Sequence, residues 1–178
     1  MSKVETNKKT RLIVLAALLA ALVFLTTAYI LHIPVGGNGG YVHVGDAFIY
    51  LAAVILPTPY AMAAAAIGAG LADVATGAAI WAIPTMIIKP ILVLFFTNKT
   101  EKIINTRNIV ATVLAGIVGT VLYMLAEGFM IGSMQAAFVM SLVGLVQPVG
   151  SAIVFIIVGL AFDKSKIKSK YHLLATEN

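Results

Sequence analysis

The chain has 178 residues, 61% of them hydrophobic and 11% charged, with a net charge of +5 and no cysteine. A soluble domain of this length cannot hide so much apolar side chain, because surface grows too fast relative to volume at this size, so lipid has to cover the rest. The lack of cysteine excludes disulfides, thiolate metal sites and cysteine nucleophiles.

In chain order, a basic tail over residues 1–11 carries Lys3, Lys8, Lys9 and Arg11. The apolar run 12–33 follows and is long enough to cross roughly 30 Å of hydrocarbon at ~1.5 Å per residue. It is too long for a signal-peptide core and lacks an A-x-A cleavage site, which predicts a retained helix. The stretch "GGNGGYVHVGD" (Gly36 to Asp46) then breaks the apolar pattern with glycines, an amide, a phenol, an imidazole and a carboxylate. Further helices are predicted over approximately 46–57, 59–75, 81–97, 109–131 and 136–162, with a second tail over 163–178. Around "LPTPY" (Leu56 to Tyr60), Pro57 and Pro59 allow either two short helices with a turn or one kinked helix.

Charge decides between them. All twelve basic residues except Lys89 fall in three clusters: the first tail, the connection holding Lys99, Lys102 and Arg107, and the second tail with Lys164, Lys166, Lys168 and Lys170. Six spans put all three clusters on one side of the membrane, whereas five would put two of them outside, against the positive-inside rule. The expected fold class is therefore an all-α integral membrane protein, one membrane domain over 1–178, with six transmembrane helices and both termini cytoplasmic. The basic tails then face anionic lipid, and nucleic acid has no role.

The polar residues at membrane depth are the candidate site, because a charge at mid-bilayer costs ~2.5–3.5 kcal/mol on insertion scales. On this topology Tyr41 and His43 lie in the outer loop, Trp81 starts the fourth helix, and Lys89 lies about 12 Å into it. Glu127 lies roughly 6 Å below the outer end of the fifth helix, and Gln147 is midway along the sixth. They converge on the outer half, which predicts a pocket open to the outside and not a channel. Bland readings stand beside each. Asp46 reads as an N-cap of the second helix. Asp73 ends the third helix against its dipole, so pairing with Lys89 or capping a loop competes with ligand contact. Trp81 suits an interfacial belt as well as a pocket, His43 a plain loop, and Lys89 a structural ion pair. Glu127 has no capping explanation, and Tyr123 precedes it by one turn on the same face. That pair offers a ring and an acceptor to a small aromatic heterocycle. "GGNGG" is no P-loop, since no GK[ST] follows. It reads as a hinge, or as a lid with Asn38, Tyr41 and His43 over a ligand. Ala16, Ala17, Ala20 and Ala21 repeat at four-residue spacing, as do Ala64, Gly68 and Ala72, and such small faces let helices approach closely within the chain or with a partner. No catalytic or metal site is expected. Without a nucleotide motif, any uphill work comes from ions or from another subunit.

"YVHVGDAFIYLAA", "AAIGAGLADVATG" followed by "AIWAIPTMIIKP", and the alanine face of the first helix resemble the substrate-binding S component of energy-coupling factor (ECF) transporters, most specifically from His43 to Pro90. Among its subfamilies the chain looks closest to those for hydroxymethylpyrimidine or pyridoxine, with pantothenate, folate and riboflavin as alternatives. The resemblance implies a vitamin-capturing protein of the bacterial cell membrane, with an outward pocket capped by the loop after the first helix. It implies a transmembrane coupling protein (T component) and two cytoplasmic ATPases as partners, with ATP used by them and no cofactor on this chain. It implies that Ala16, Ala17, Ala20 and Ala21 contact the coupling protein, and that the loaded protein topples in the membrane. Trp81, Lys89, Tyr123, Glu127 and Gln147 lie where the family's pockets form. The rival readings are a stand-alone ion-coupled transporter, which would need broken helices and an inverted repeat, and an intramembrane enzyme, for which no motif exists.

Overall fold

The computed structural model describes residues 3–34 and 41–169. In chain order the elements are α1 (Lys3–Ala28), β1 (Ile33–Pro34), β2 (Tyr41–Val42), α2 (Asp46–Ile55), α3 (Thr58–Ala75), α4 (Ala79–Val93), α5 (Thr106–Ile131), α6 (Met134–Gly144) and α7 (Val146–Lys164). Three stretches are long and apolar enough to cross a membrane: Asn7–Ala28, Thr106–Ile131 and Met134–Lys164. Large apolar side chains stand outward along them, among them Leu18, Phe129 and Ile157. Water would not tolerate that much exposed hydrocarbon, so this is an all-α membrane protein.

The helix ends differ from the sequence expectation for local reasons. The first helix takes in most of the basic tail and stops at Ala28, not residue 33. Beyond it Leu31 takes a positive φ of 52°, and the chain turns into an antiparallel pair that sets Ile33 opposite Val42 and Pro34 opposite Tyr41. At "LPTPY" the two-helix reading holds. Leu56 is extended, as a residue before proline prefers, while Pro59 sits in the first turn of α3, where its missing N–H costs nothing. The last predicted helix is interrupted at Leu145, between α6 and α7. Pro148 cannot donate to the Gly144 carbonyl and its ring crowds that position, which accounts for the break.

α2 has ten residues, eight of them buried, and packs against α1, α3, α4 and α7. At 1.5 Å per residue it is about 15 Å long, half the hydrocarbon thickness. It forms the buried axis of the bundle and cannot span alone. α1 and α3 pack against each other, and small residues on both are buried: Ala16 and Ala20 on α1, and Ala64, Gly68 and Ala72 on α3. A Cβ on Gly68 would come within 2.5 Å of the Ala20 carbonyl oxygen, so the close approach needs glycine there.

At the opposite end from the β-pair, side chains pin the basic connection between α4 and α5. The Asn108 amide donates to the Thr97 and Ile103 carbonyls and accepts from Thr97 N–H. The Asp163 carboxylate accepts from Ile103 N–H at 2.7 Å and Ile104 N–H at 2.9 Å. Lys168 donates to the Thr100 carbonyl at 2.6 Å.

Candidate substrate-binding site

A cavity of about 370 Å³ opens at the end of the bundle that carries the β-pair, within the usual size range of small-molecule sites. Tyr41, His43, Trp81, Lys89, Tyr123, Glu127 and Gln147 all line it. Asn38 lies outside the described residues. Helical periodicity explains the convergence. Trp81, Thr85 and Lys89 follow at four-residue spacing on one face of α4, and Gly116, Thr120, Tyr123 and Glu127 do much the same on α5.

At the base, Lys89 Nζ lies 2.6 Å from Asp46 Oδ1, with both side chains almost fully buried. Gln147 Nε2 donates to the other oxygen, Asp46 Oδ2, at 3.0 Å. Asp46 is therefore not the N-cap that its position suggested. Gly45 occupies that place with no side-chain cap, and the carboxylate is drawn away by a cation that would otherwise be unpaired in hydrocarbon. The ammonium also stands 5.0 Å above the Tyr123 ring centroid. Tyr123 donates its hydroxyl to Thr85 Oγ1 at 3.0 Å, and its ring adjoins Trp81 at 6.0 Å with a 47° tilt.

Depth follows from these contacts. Lys89 is ten residues into α4, about 15 Å along the axis, and Asp46 at the start of α2 meets it there. The chain after the β-pair therefore runs down into the bundle before α2 begins, and Val42, His43 and Gly45 are buried. The sequence alone placed this loop outside, whereas the structure brings its 42–45 part into the bundle. Irregular backbone is tolerated at this depth because it is enclosed by protein and lines a cavity. Here His43 Nδ1 accepts the Gly45 N–H at 2.9 Å. A Cβ on Gly45 would collide with Thr27 Oγ1 and His43 Nδ1, so only glycine fits this descent.

At the rim, the Tyr41 hydroxyl donates to Asp73 Oδ1 on α3, and the Tyr41 ring stacks on His32 at 4.0 Å. The β-pair is thereby tied across the cavity mouth. Below, Tyr50 stacks on Phe96 at 4.7 Å and meets Phe155 edge-on at 5.9 Å, an aromatic layer between the cavity and the 94–105 connection. Thr27 Oγ1, Tyr50 Oη and Asp73 Oδ2 are buried, line the cavity and make no hydrogen bond among the described residues. The sequence reading did not select Thr27, Tyr50 or Thr85. Only the four-residue spacing of Thr85 between Trp81 and Lys89 could have signalled one of them. Of the four alanines expected at a partner, Ala16 and Ala20 are buried against α3 in this chain, while Ala17 and Ala21 are exposed.

Rings, hydrogen-bonding groups and a neutralised ion pair around a largely apolar cavity are the equipment of recognition. Residues 7–165 match the family described as ECF-type riboflavin transporter, S component. The chain belongs to that family. No curated protein and no solved structure matches it. An S component serves vitamin uptake, works with a T component and ATPase partners, and is a transporter subunit, not an enzyme. The family name carries riboflavin, one of the alternatives, and not the hydroxymethylpyrimidine or pyridoxine type placed first from the sequence.

Proposed function

We propose that this S component captures riboflavin from outside a bacterial cell and passes it inward with a T component and two ATPases, which alone consume ATP. The family match supports riboflavin. The observation that carries capture is the convergence of Tyr41, His43, Trp81, Lys89, Tyr123, Glu127 and Gln147 on one cavity. In this reading Trp81 and Tyr123 contact the flat ring system, Glu127 accepts from ring N–H or hydroxyl groups, and Gln147 and Asn38 add donors and acceptors. One membrane domain with six crossings and cytoplasmic termini fits the three basic clusters, which then lie away from the cavity mouth. The Trp81 and Tyr123 rings are tilted by 47° and form no parallel slot. That favours a second reading, a single-ring ligand such as hydroxymethylpyrimidine or pyridoxine.

Quenching of riboflavin fluorescence by the purified protein tests the first reading, and competition by the two smaller vitamins tests the second. Glu127→Gln keeps the shape and removes a charged acceptor worth ~1.5–3 kcal/mol, so affinity should fall roughly 10- to 150-fold. A wild type that binds none of the three vitamins sinks the capture reading. Uptake into vesicles that lack any ATPase would instead favour a stand-alone ion-coupled transporter. In sealed cells an impermeant thiol reagent should label Asn38→Cys and spare Lys99→Cys.

A further inference from the structure

Asp73 is 4% exposed and lines the cavity two residues before the end of α3. A carboxylate there opposes the helix dipole and meets none of the free N–H groups of a helix start, so it is not a cap. Its Oδ1 holds the Tyr41 hydroxyl. Its Oδ2 is buried with no hydrogen bond of normal length among the described residues, the Thr85 hydroxyl being a longer, weaker donor to the carboxylate. Among the described residues no cation of the cavity wall forms an ion pair with it. Lys89 is committed to Asp46, and His43 presents Nδ1 as an acceptor to Gly45. Leaving a charged acceptor open in an apolar bundle costs stability. An asparagine would still accept from Tyr41 and would remove the buried charge, although its amide N–H groups would then seek acceptors. The carboxylate makes sense if a donor arrives from outside the chain, and the idle Thr27 and Tyr50 hydroxyls line the same space.

We propose that Asp73 binds the ligand directly, taking an N–H or O–H donor on Oδ2 while Oδ1 keeps Tyr41. The cavity therefore admits neutral or cationic donor-bearing heterocycles and refuses their phosphorylated forms. One carboxylate then ties the ligand to the β-pair across the mouth, so occupancy and closure are linked. The inference rests on the cavity being the capture site.

The test is Asp73→Asn in the full chain, with Tyr41→Phe as companion. The thermal midpoint of the ligand-free protein is measured first. Binding is then measured for riboflavin, pyridoxine and hydroxymethylpyrimidine and for their phosphate esters. Asp73→Asn should leave the ligand-free midpoint unchanged or raised. It should weaken the unphosphorylated ligand by about tenfold or more, and narrow the wild type's preference for that ligand over its ester. Tyr41→Phe should keep that preference, since Oδ2 is intact. A lowered midpoint in Asp73→Asn overturns the proposal, because the carboxylate is then structural. So does unchanged affinity for the unphosphorylated ligand, or a wild type that binds ester and parent equally. If the wild type binds none of the six compounds, the vitamin reading fails. The midpoint then decides alone: an unchanged or raised value supports a carboxylate held ready for another donor-bearing ligand, and a fall overturns it.

Discussion

Lys89 and Asp46, 43 residues apart in sequence, meet at 2.6 Å beneath the cavity and are each almost fully buried. The pair fixes α4 against the start of α2, and Gln147 brings α7 to the same carboxylate. Removing one partner leaves the other charged in hydrocarbon. Lys89→Met should therefore lower stability in detergent by ~3–5 kcal/mol, and adding Asp46→Leu should recover much of the loss. Equal thermal midpoints for Lys89→Met and wild type would show that the pair contributes nothing.

The alanines of α1 divide into two sets with opposite expected phenotypes. Ala16 and Ala20 pack on α3 where Gly68 meets the α1 backbone. Leucine at both should strain that contact by ~1–3 kcal/mol per site and reduce folded yield. Ala17 and Ala21 are exposed. Leucine at both should leave folding and vitamin binding intact but block assembly with the T component, because close helix approach needs small side chains. Co-purification with the partner subunits reads this out, and normal assembly of the Ala17→Leu, Ala21→Leu protein would remove that face from the docking surface.

The end of the bundle away from the cavity depends on Asp163. Its carboxylate takes two backbone N–H groups of the 94–105 connection, and hydrogen bonds to charged groups contribute ~1.5–3 kcal/mol each. Asp163→Ala should destabilise the fold by a few kcal/mol while leaving vitamin affinity near the wild-type value, because the aromatic layer of Tyr50, Phe96 and Phe155 intervenes. A large loss of affinity without loss of stability would contradict this separation.

Much of the site was legible because helical periodicity is a local property. Trp81 with Lys89, and Tyr123 with Glu127, are placed on common faces by spacing alone, and the scarcity of charge in the spans picked them out. The partner of Asp46 was not legible. A local rule makes an acid at a helix start a cap, and it fails here because Lys89 and Gln147, 43 and 101 residues away, compete for the carboxylate more strongly. The descent of the 41–45 segment into the bundle was equally hidden, since polar loop residues ordinarily seek water.

By itself, the sequence determined that this chain is helical and lies in a membrane, since hydropathy depends only on which side chains follow one another. It also placed the boundary at "LPTPY", since only an even number of crossings keeps the three basic clusters on one side. Only the tertiary structure decided that α2 is a short buried axis, that Ala16 and Ala20 are buried while Ala17 and Ala21 are exposed, and that Asp73 meets Tyr41 through one oxygen only. These depend on which helices pack side by side and at what depth. That is set by close contacts between distant residues, such as Gly68 on the Ala20 carbonyl, that no single stretch of sequence contains.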